Sequence, residues 1–159
     1  MIKLQKDQIS ILKELMVKSA QKGNLANAGF VLENDKIIAS AESWVVSSCD
    51  ATAHSERMLV EIVCKLKHSN YTPGLTMVTV TEPCLMCLSA CSWAGYKDIA
   101  YIIPAVKYIK KIPWMSEVSG IDKNKLLSQF NNPLTIIHLK EYEQEFSNIF
   151  EAEMKELLK

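Results

Sequence analysis

His54 and Glu56 stand two residues apart, and Cys84 and Cys87 three apart, with Pro83 directly before the first thiol. One imidazole and two thiols make a set of three zinc ligands. Catalytic zinc commonly takes three protein ligands and leaves its fourth position to water. Glu56 remains as a carboxylate without a metal bond. The pattern H-x-E followed by P-C-x-x-C therefore suits hydrolytic removal of an exocyclic amine from an aromatic base. Zinc lowers the pKa of bound water towards about 7. A neighbouring carboxylate accepts the water proton and passes it to the ring nitrogen and the leaving amine.

Each half alone says less. A lone C-x-x-C also serves redox and structural sites. A structural zinc takes a fourth protein ligand, for which Cys91, four residues beyond Cys87, is the candidate. The alternative reading of Cys91 is a small buried apolar residue. Cys49 and Cys64 read as packing residues. Trp93 serves as a pocket wall or as core. Trp44 and Trp114 read as base-stacking residues or packed loop anchors. His68 and His138 have no partners nearby in sequence.

The elements that must position these groups follow from periodicity. Apolar residues at helical spacing predict a helix over residues 6–22. Residues 28–33 and 36–41 flank Asn34-Asp35 and read as a β-hairpin. A second helix runs from His54 to about residue 67, and 75–80 alternates as a strand. Pro83 suits the first turn of a third helix reaching about Ala94, because that position needs no backbone donor. One turn then puts Cys84 and Cys87 on one face near its positive end, where thiolates are favoured. Short strands are expected at 99–103 and 134–139, and an amphipathic helix at about 141–158. Residues 107–132 show no clear period. Helices between single strands imply parallel pairing. The expectation is one α/β domain over residues 1–159, a three-layer α/β/α arrangement with a mixed five-stranded central sheet.

Eighteen Lys and Arg balance eighteen Asp and Glu, so the chain as a whole lacks a strong attraction for nucleic acid. No signal-peptide pattern and no apolar run of membrane-spanning length is visible. Five cysteines, an odd count, read as thiols or ligands rather than a disulfide framework, and a cytoplasmic location without membrane attachment is expected.

The stretches Asp50-Ala51-Thr52-Ala53-His54-Ser55-Glu56 and Thr81-Glu82-Pro83-Cys84-Leu85-Met86-Cys87 resemble the cytidine deaminase superfamily. The similar branch holds guanine deaminase, cytosine deaminase and tRNA adenosine deaminase. The resemblance extends from about Leu25 to Tyr101. It implies His54, Cys84 and Cys87 as ligands of Zn²⁺ and Glu56 as the catalytic proton shuttle. It further implies substrate contacts from the backbone N–H of Ser55 or Cys84 and from the carbonyl of Glu82, and a homodimer. Three positions depart from the family pattern: Ser55 replaces the usual Ala, Ala51 the usual Pro, and Ser43 falls where relatives carry a base-binding Asn. A hydroxyl offers a shorter reach than an amide and a different geometry.

The leading expectation is a zinc-dependent hydrolytic deaminase of a free nucleobase, guanine- or cytosine-like, or a related small aminated heterocycle. A tRNA-specific adenosine deaminase is the alternative. It needs a basic surface, for which Lys107, Lys110, Lys111, Lys123 and Lys125 are candidates. A catalytically silent zinc scaffold is a third reading, with Cys91 as fourth ligand.

Overall fold

The computed structural model describes residues 2–159. Its first helix, α1 (Lys6–Gln21), buries Leu12 and Met16 on one face. Gln8 Oε1 accepts from the backbone N–H of Gln5 at 3.0 Å, satisfying a donor at the mouth of the helix. Strands β1 (Ala28–Glu33) and β2 (Lys36–Glu42) form the expected hairpin. Asn34 and Asp35 both have positive φ, 51° and 62°. A two-residue turn matched to strand twist requires that backbone.

A loop leads to α2 (Ser55–Lys67), then β3 (Thr76–Thr81), α3 (Leu85–Ala94) and β4 (Asp98–Ile103). The unperiodic stretch holds the short helix α4 (Lys123–Leu127), and a 3-10 turn at Ala105–Lys107 lies at its start. Strand β5 (Thr135–His138) and helix α5 (Glu143–Glu153) complete the order. Helix α5 is shorter than the expected 141–158: a 3-10 turn at Lys140–Tyr142 precedes it and turns follow it. Leu157 and Leu158 still pack on the core from beyond its end.

The strand order is β2-β1-β3-β4-β5. Strand β1 is antiparallel to both β2 and β3, whereas β3–β4 and β4–β5 are parallel. The sheet is mixed and five-stranded, as expected. Leu12, Met16, Phe146 and Phe150 pack from α1 and α5 on Phe30, Val78 and Ile102 of one sheet face. Leu59, Val63, Leu88 and Leu127 pack from α2, α3 and α4 on Val31, Met77 and Ile99 of the other. Helices thus cover both faces, and β1 and β3 are almost continuously buried. A Cβ at Gly29 would stand 2.7 Å from the Val78 carbonyl oxygen and 3.2 Å from Leu59 Cδ1. Glycine therefore sets the close approach of β1, β3 and α2. Among the described residues no helix is long and apolar enough to cross a membrane.

Candidate functional site

The two ligand-bearing segments meet because two helices begin at the same edge of the sheet. His54 is the N-cap of α2 and Cys84 the N-cap of α3, both with extended backbone. Helix α3 therefore starts at Leu85, and Pro83 lies outside it rather than in its first turn. A cap residue must leave the helical conformation, and its side chain then points across the helix mouth. Neither side chain caps its own helix, so both are free to face each other. Cys87 follows one turn into α3.

Cys84 Sγ lies 3.7 Å from His54 Nδ1. Ligand atoms of His54, Cys84 and Cys87 all fall within 4.8 Å of one another. Tetrahedral zinc with one nitrogen and one sulfur ligand sets those two atoms about 3.6 Å apart, so the donor set and its spacing fit that metal. The two thiols share one ionisation. The S–H of Cys87 donates to Cys84 and, against burial and with help from His54, brings the Cys84 thiol down to about 4. Cys87 keeps the proton and is pushed upward by that same bond, by burial and by Glu56. The Cys84 contact raises the His54 imidazole above its ordinary value, burial opposing.

Glu56, 2% exposed, lies in the first turn of α2. Its Oε2 accepts from Ser55 Oγ at 3.0 Å and its Oε1 from Thr79 Oγ1 at 3.2 Å. Asn27 Nδ2 reaches both oxygens, at 3.3 and 3.4 Å, and also Ser55 Oγ at 3.2 Å. Asn27 Oδ1 accepts from the Thr81 backbone N–H at 3.0 Å. Three side chains thus fix one carboxylate, whose Oε2 lies 4.0 Å from Cys87 Sγ.

A cavity of about 540 Å³ opens over this cluster, and Asn27, Ser43, His54, Glu56 and Cys84 are among its lining residues. Its far wall comes from the stretch whose sequence has no period: Ile112, Trp114, Met115, Glu117 and Val118. Glu117 is a second buried carboxylate there. Burial raises its pKa, and the nearby Lys123 only partly offsets this. Lys123 Nζ bridges Glu82 Oε1 at 2.7 Å, Glu117 Oε1 at 3.3 Å and the Pro83 carbonyl at 3.0 Å. It ties the far wall to the residues just before Cys84.

The structure brings together His54, Glu56, Cys84 and Cys87, and sets Ser43 and Glu82 in the cavity wall. The Glu82 carboxylate is engaged by Lys123 and by the Ala105 backbone N–H. Ser55 is fully buried behind Glu56 and does not line the cavity; its hydroxyl acts on the carboxylate. Trp93 does not wall this cavity. It is 83% exposed and borders a separate depression with Ser89, Ser92 and Phe130. Six positions beyond Cys87, at about 100° per residue, the α3 face has turned away. Cys91 is buried against Met77 Sδ at 4.0 Å and takes no part in the ligand group. Of the five lysines of the expected basic face, Lys123 is buried in its ion pairs, and Lys107 is engaged by Ser147 and Glu143.

Sequence reasoning passed over Asn27, Thr79 and Glu117, and took Lys123 for a surface cation. An amide immediately before a continuously apolar strand was the available signal for Asn27. The Ser43 backbone N–H donates to the Asn27 carbonyl at 3.0 Å, which sets Ser43 beside Asn27 in the cavity lining.

Residues 3–103 match the family described as the cytidine and deoxycytidylate deaminase zinc-binding region. Guanine deaminase of Bacillus subtilis (strain 168) is 34% identical over 71 residues, covering 45% of this chain and 46% of that protein. The tRNA-specific adenosine deaminase of Aquifex aeolicus (strain VF5) is 27% identical over 70 residues, covering 44% and 46%. The match spans about half the length of these two relatives. Among solved structures, a guanine deaminase from Nitrosomonas europaea superposes with a TM-score of 0.80 at 16% identity, covering 96% of this chain and 85% of that one. That likeness is one of fold.

Proposed function

Because this chain belongs to the cytidine and deoxycytidylate deaminase zinc-binding family, we propose that it is a zinc-dependent hydrolytic deaminase of a free nucleobase or related small aminated heterocycle. The observation that carries this reading is Glu56, held by Asn27, Ser55 and Thr79 beside the His54–Cys84–Cys87 group at the floor of a cavity. A structural metal site has no use for a buried carboxylate without a metal bond, and Cys91 is not available as a fourth ligand.

His54, Cys84 and Cys87 would hold the zinc. When bound, zinc supplies hydroxide at neutral pH by lowering the pKa of water towards about 7. Glu56 accepts the proton lost by the attacking water. It delivers that proton to the ring nitrogen next to the reacting carbon, then takes the proton of the newly formed C–OH group and passes it to the exocyclic nitrogen as it leaves. A C–O bond forms, the C–N bond breaks, and ammonia departs. Asn27, Ser55 and Thr79 fix the carboxylate, so little reorganisation is needed at the moment of reaction.

Burial of Lys123 and engagement of Lys107 remove two cations from the face a tRNA would need, which supports the small-molecule reading. Exposed Ile62 and Leu66 of α2 and Trp93 of α3 offer apolar surface for the homodimer that the family resemblance implies. Ligand thiols require a reducing setting, in keeping with a cytoplasmic location.

The test is an ammonia-release screen of the zinc-loaded protein against bases, nucleosides, nucleotides, pterins and triazines. Glu56→Ala is expected to keep its zinc and lose ammonia release on the substrate found. Survival of that activity in Glu56→Ala overturns the assignment.

A further inference from the structure

The geometry points to a substrate that is unphosphorylated, neutral or cationic, and carries an apolar substituent beyond its aminated ring. This rests on the deaminase reading and concerns the same cavity.

Charge comes first. Among the described residues, none of those lining the cavity is Lys or Arg. Its carboxylates are Glu56, Glu82 and Glu117. The nearest buried cation, Lys123, is already committed to Glu82, Glu117 and the Pro83 carbonyl. A phosphate on the side of the ring away from the His54–Cys84–Cys87 group would lose hydration, find no Lys or Arg, and meet carboxylates of its own sign.

Size and polarity come next. The cavity holds about 540 Å³. That volume lies inside the range typical of pockets for drug-sized ligands, and it is more room than one bare ring fills. Polar groups lie at the floor, on Asn27, Glu56, His54 and Cys84, and the far wall adds Ser116 and Glu117. The rest of the wall is largely apolar, with Val45, Ile112 and Met115 among its residues. At the mouth, Val46, Trp114 and Val118 remain between 39% and 47% exposed. Apolar side chains held open above a polar floor gain free energy when an apolar group covers them. A ring seated with its amine over Glu56 directs its far side along this wall, so a substituent there is the occupant that matches both charge and room.

The test uses the zinc-loaded full chain and matched series built on guanine, cytosine and adenine. Each series comprises the bare ring, its N-butyl and N-benzyl derivatives, the riboside and the 5′-monophosphate. Ammonia release gives kcat/KM, and calorimetry gives affinity independently of turnover. The N-butyl or N-benzyl member of one series is expected to exceed the bare ring in kcat/KM by about tenfold or more, and the monophosphate to be the poorest. Trp114→Ala is expected to bring the substituted-to-bare ratio towards one. A bare ring or monophosphate as best substrate overturns this inference and leaves the deaminase reading standing. Binding of the substituted members without ammonia release from any compound overturns the deaminase reading and leaves the substrate inference standing. Absence of binding by every substituted member overturns the inference.

Discussion

The Asn27 carboxamide joins Glu56 to the sheet: Nδ2 lies 3.3 Å from Glu56 Oε1, while Oδ1 accepts the Thr81 backbone N–H at 3.0 Å. The carboxylate proposed to carry the proton is thereby fixed to β3, the strand that leads into Cys84. Asn27→Ala removes a donor from Glu56 and strands a buried N–H. A misplacement of the order of 1 Å costs about 100-fold in rate, so kcat is expected to fall by about 10–100-fold with KM little changed. Steady-state kinetics on protein of verified zinc content check this. An unchanged kcat would mean that Ser55 and Thr79 suffice to hold the carboxylate.

Lys123 compensates two carboxylates and a carbonyl from a position with only 7% of its side chain exposed. Lys123→Met leaves Glu82 and Glu117 facing each other without a cation. Breaking such a buried set costs about 3–5 kcal/mol, read as a lower denaturation midpoint in urea. Lys123→Arg retains the charge and is expected to recover most of that loss. Ammonia release should follow the same order, because the wall carrying Glu117 is anchored through this amine.

Removing the metal should expose a difference between the two thiols. Cys84 is half-buried and brought down to about 4, whereas Cys87 is buried and holds its proton. After chelation, alkylation near pH 6 followed by peptide mass mapping is expected to label Cys84 well ahead of Cys87. Zinc should protect both, and the chelated protein should melt at a lower temperature, since a ligand bound only to the folded chain stabilises it. Equal labelling of the two would contradict the shared ionisation.

Glu42 supplies a pH prediction away from the site. Burial works against its carboxylate, but hydrogen bonds from Lys22 and from its own backbone, with the charges of Lys18 and Lys22, prevail and lower its pKa below the ordinary 4.5. A carboxyl whose folded pKa is depressed contributes stability that is present above the unfolded value and lost as pH falls through the folded one. Lys22→Met removes the partner at 2.9 Å. Its acid-unfolding midpoint is expected to move to higher pH, with the stability difference from the parent chain constant above pH 6. Circular dichroism against pH measures both.

Much of this was legible in the sequence because local rules apply where local forces dominate. Apolar periodicity placed α1, the hairpin and α2 within a residue or two, and two short motifs located the His54–Cys84–Cys87 cluster. Pro83 misled by two positions: its fixed φ suits a first helical turn, yet the helix begins at Leu85, Cys84 is the cap and the proline precedes it. Trp93 misled through its proximity to the thiols, since a helix turns neighbours in sequence onto different faces. Asn27, Thr79 and Glu117 were hidden for another reason. They reach the site from the start of β1, from β3 and from an unperiodic stretch, and only the strand order brings these together.

His54 and Cys84, each at the mouth of its helix, are thirty positions apart in the chain. A shared ion would close the intervening segment, all of α2 and β3, into a ring. For a covalent link, a ring of that size reduces the freedom of the unfolded chain by an amount on the order of 3–4 kcal/mol. The three side chains proposed to hold the ion would therefore also act as a clasp on folding, and a cell short of zinc would meet a looser polypeptide.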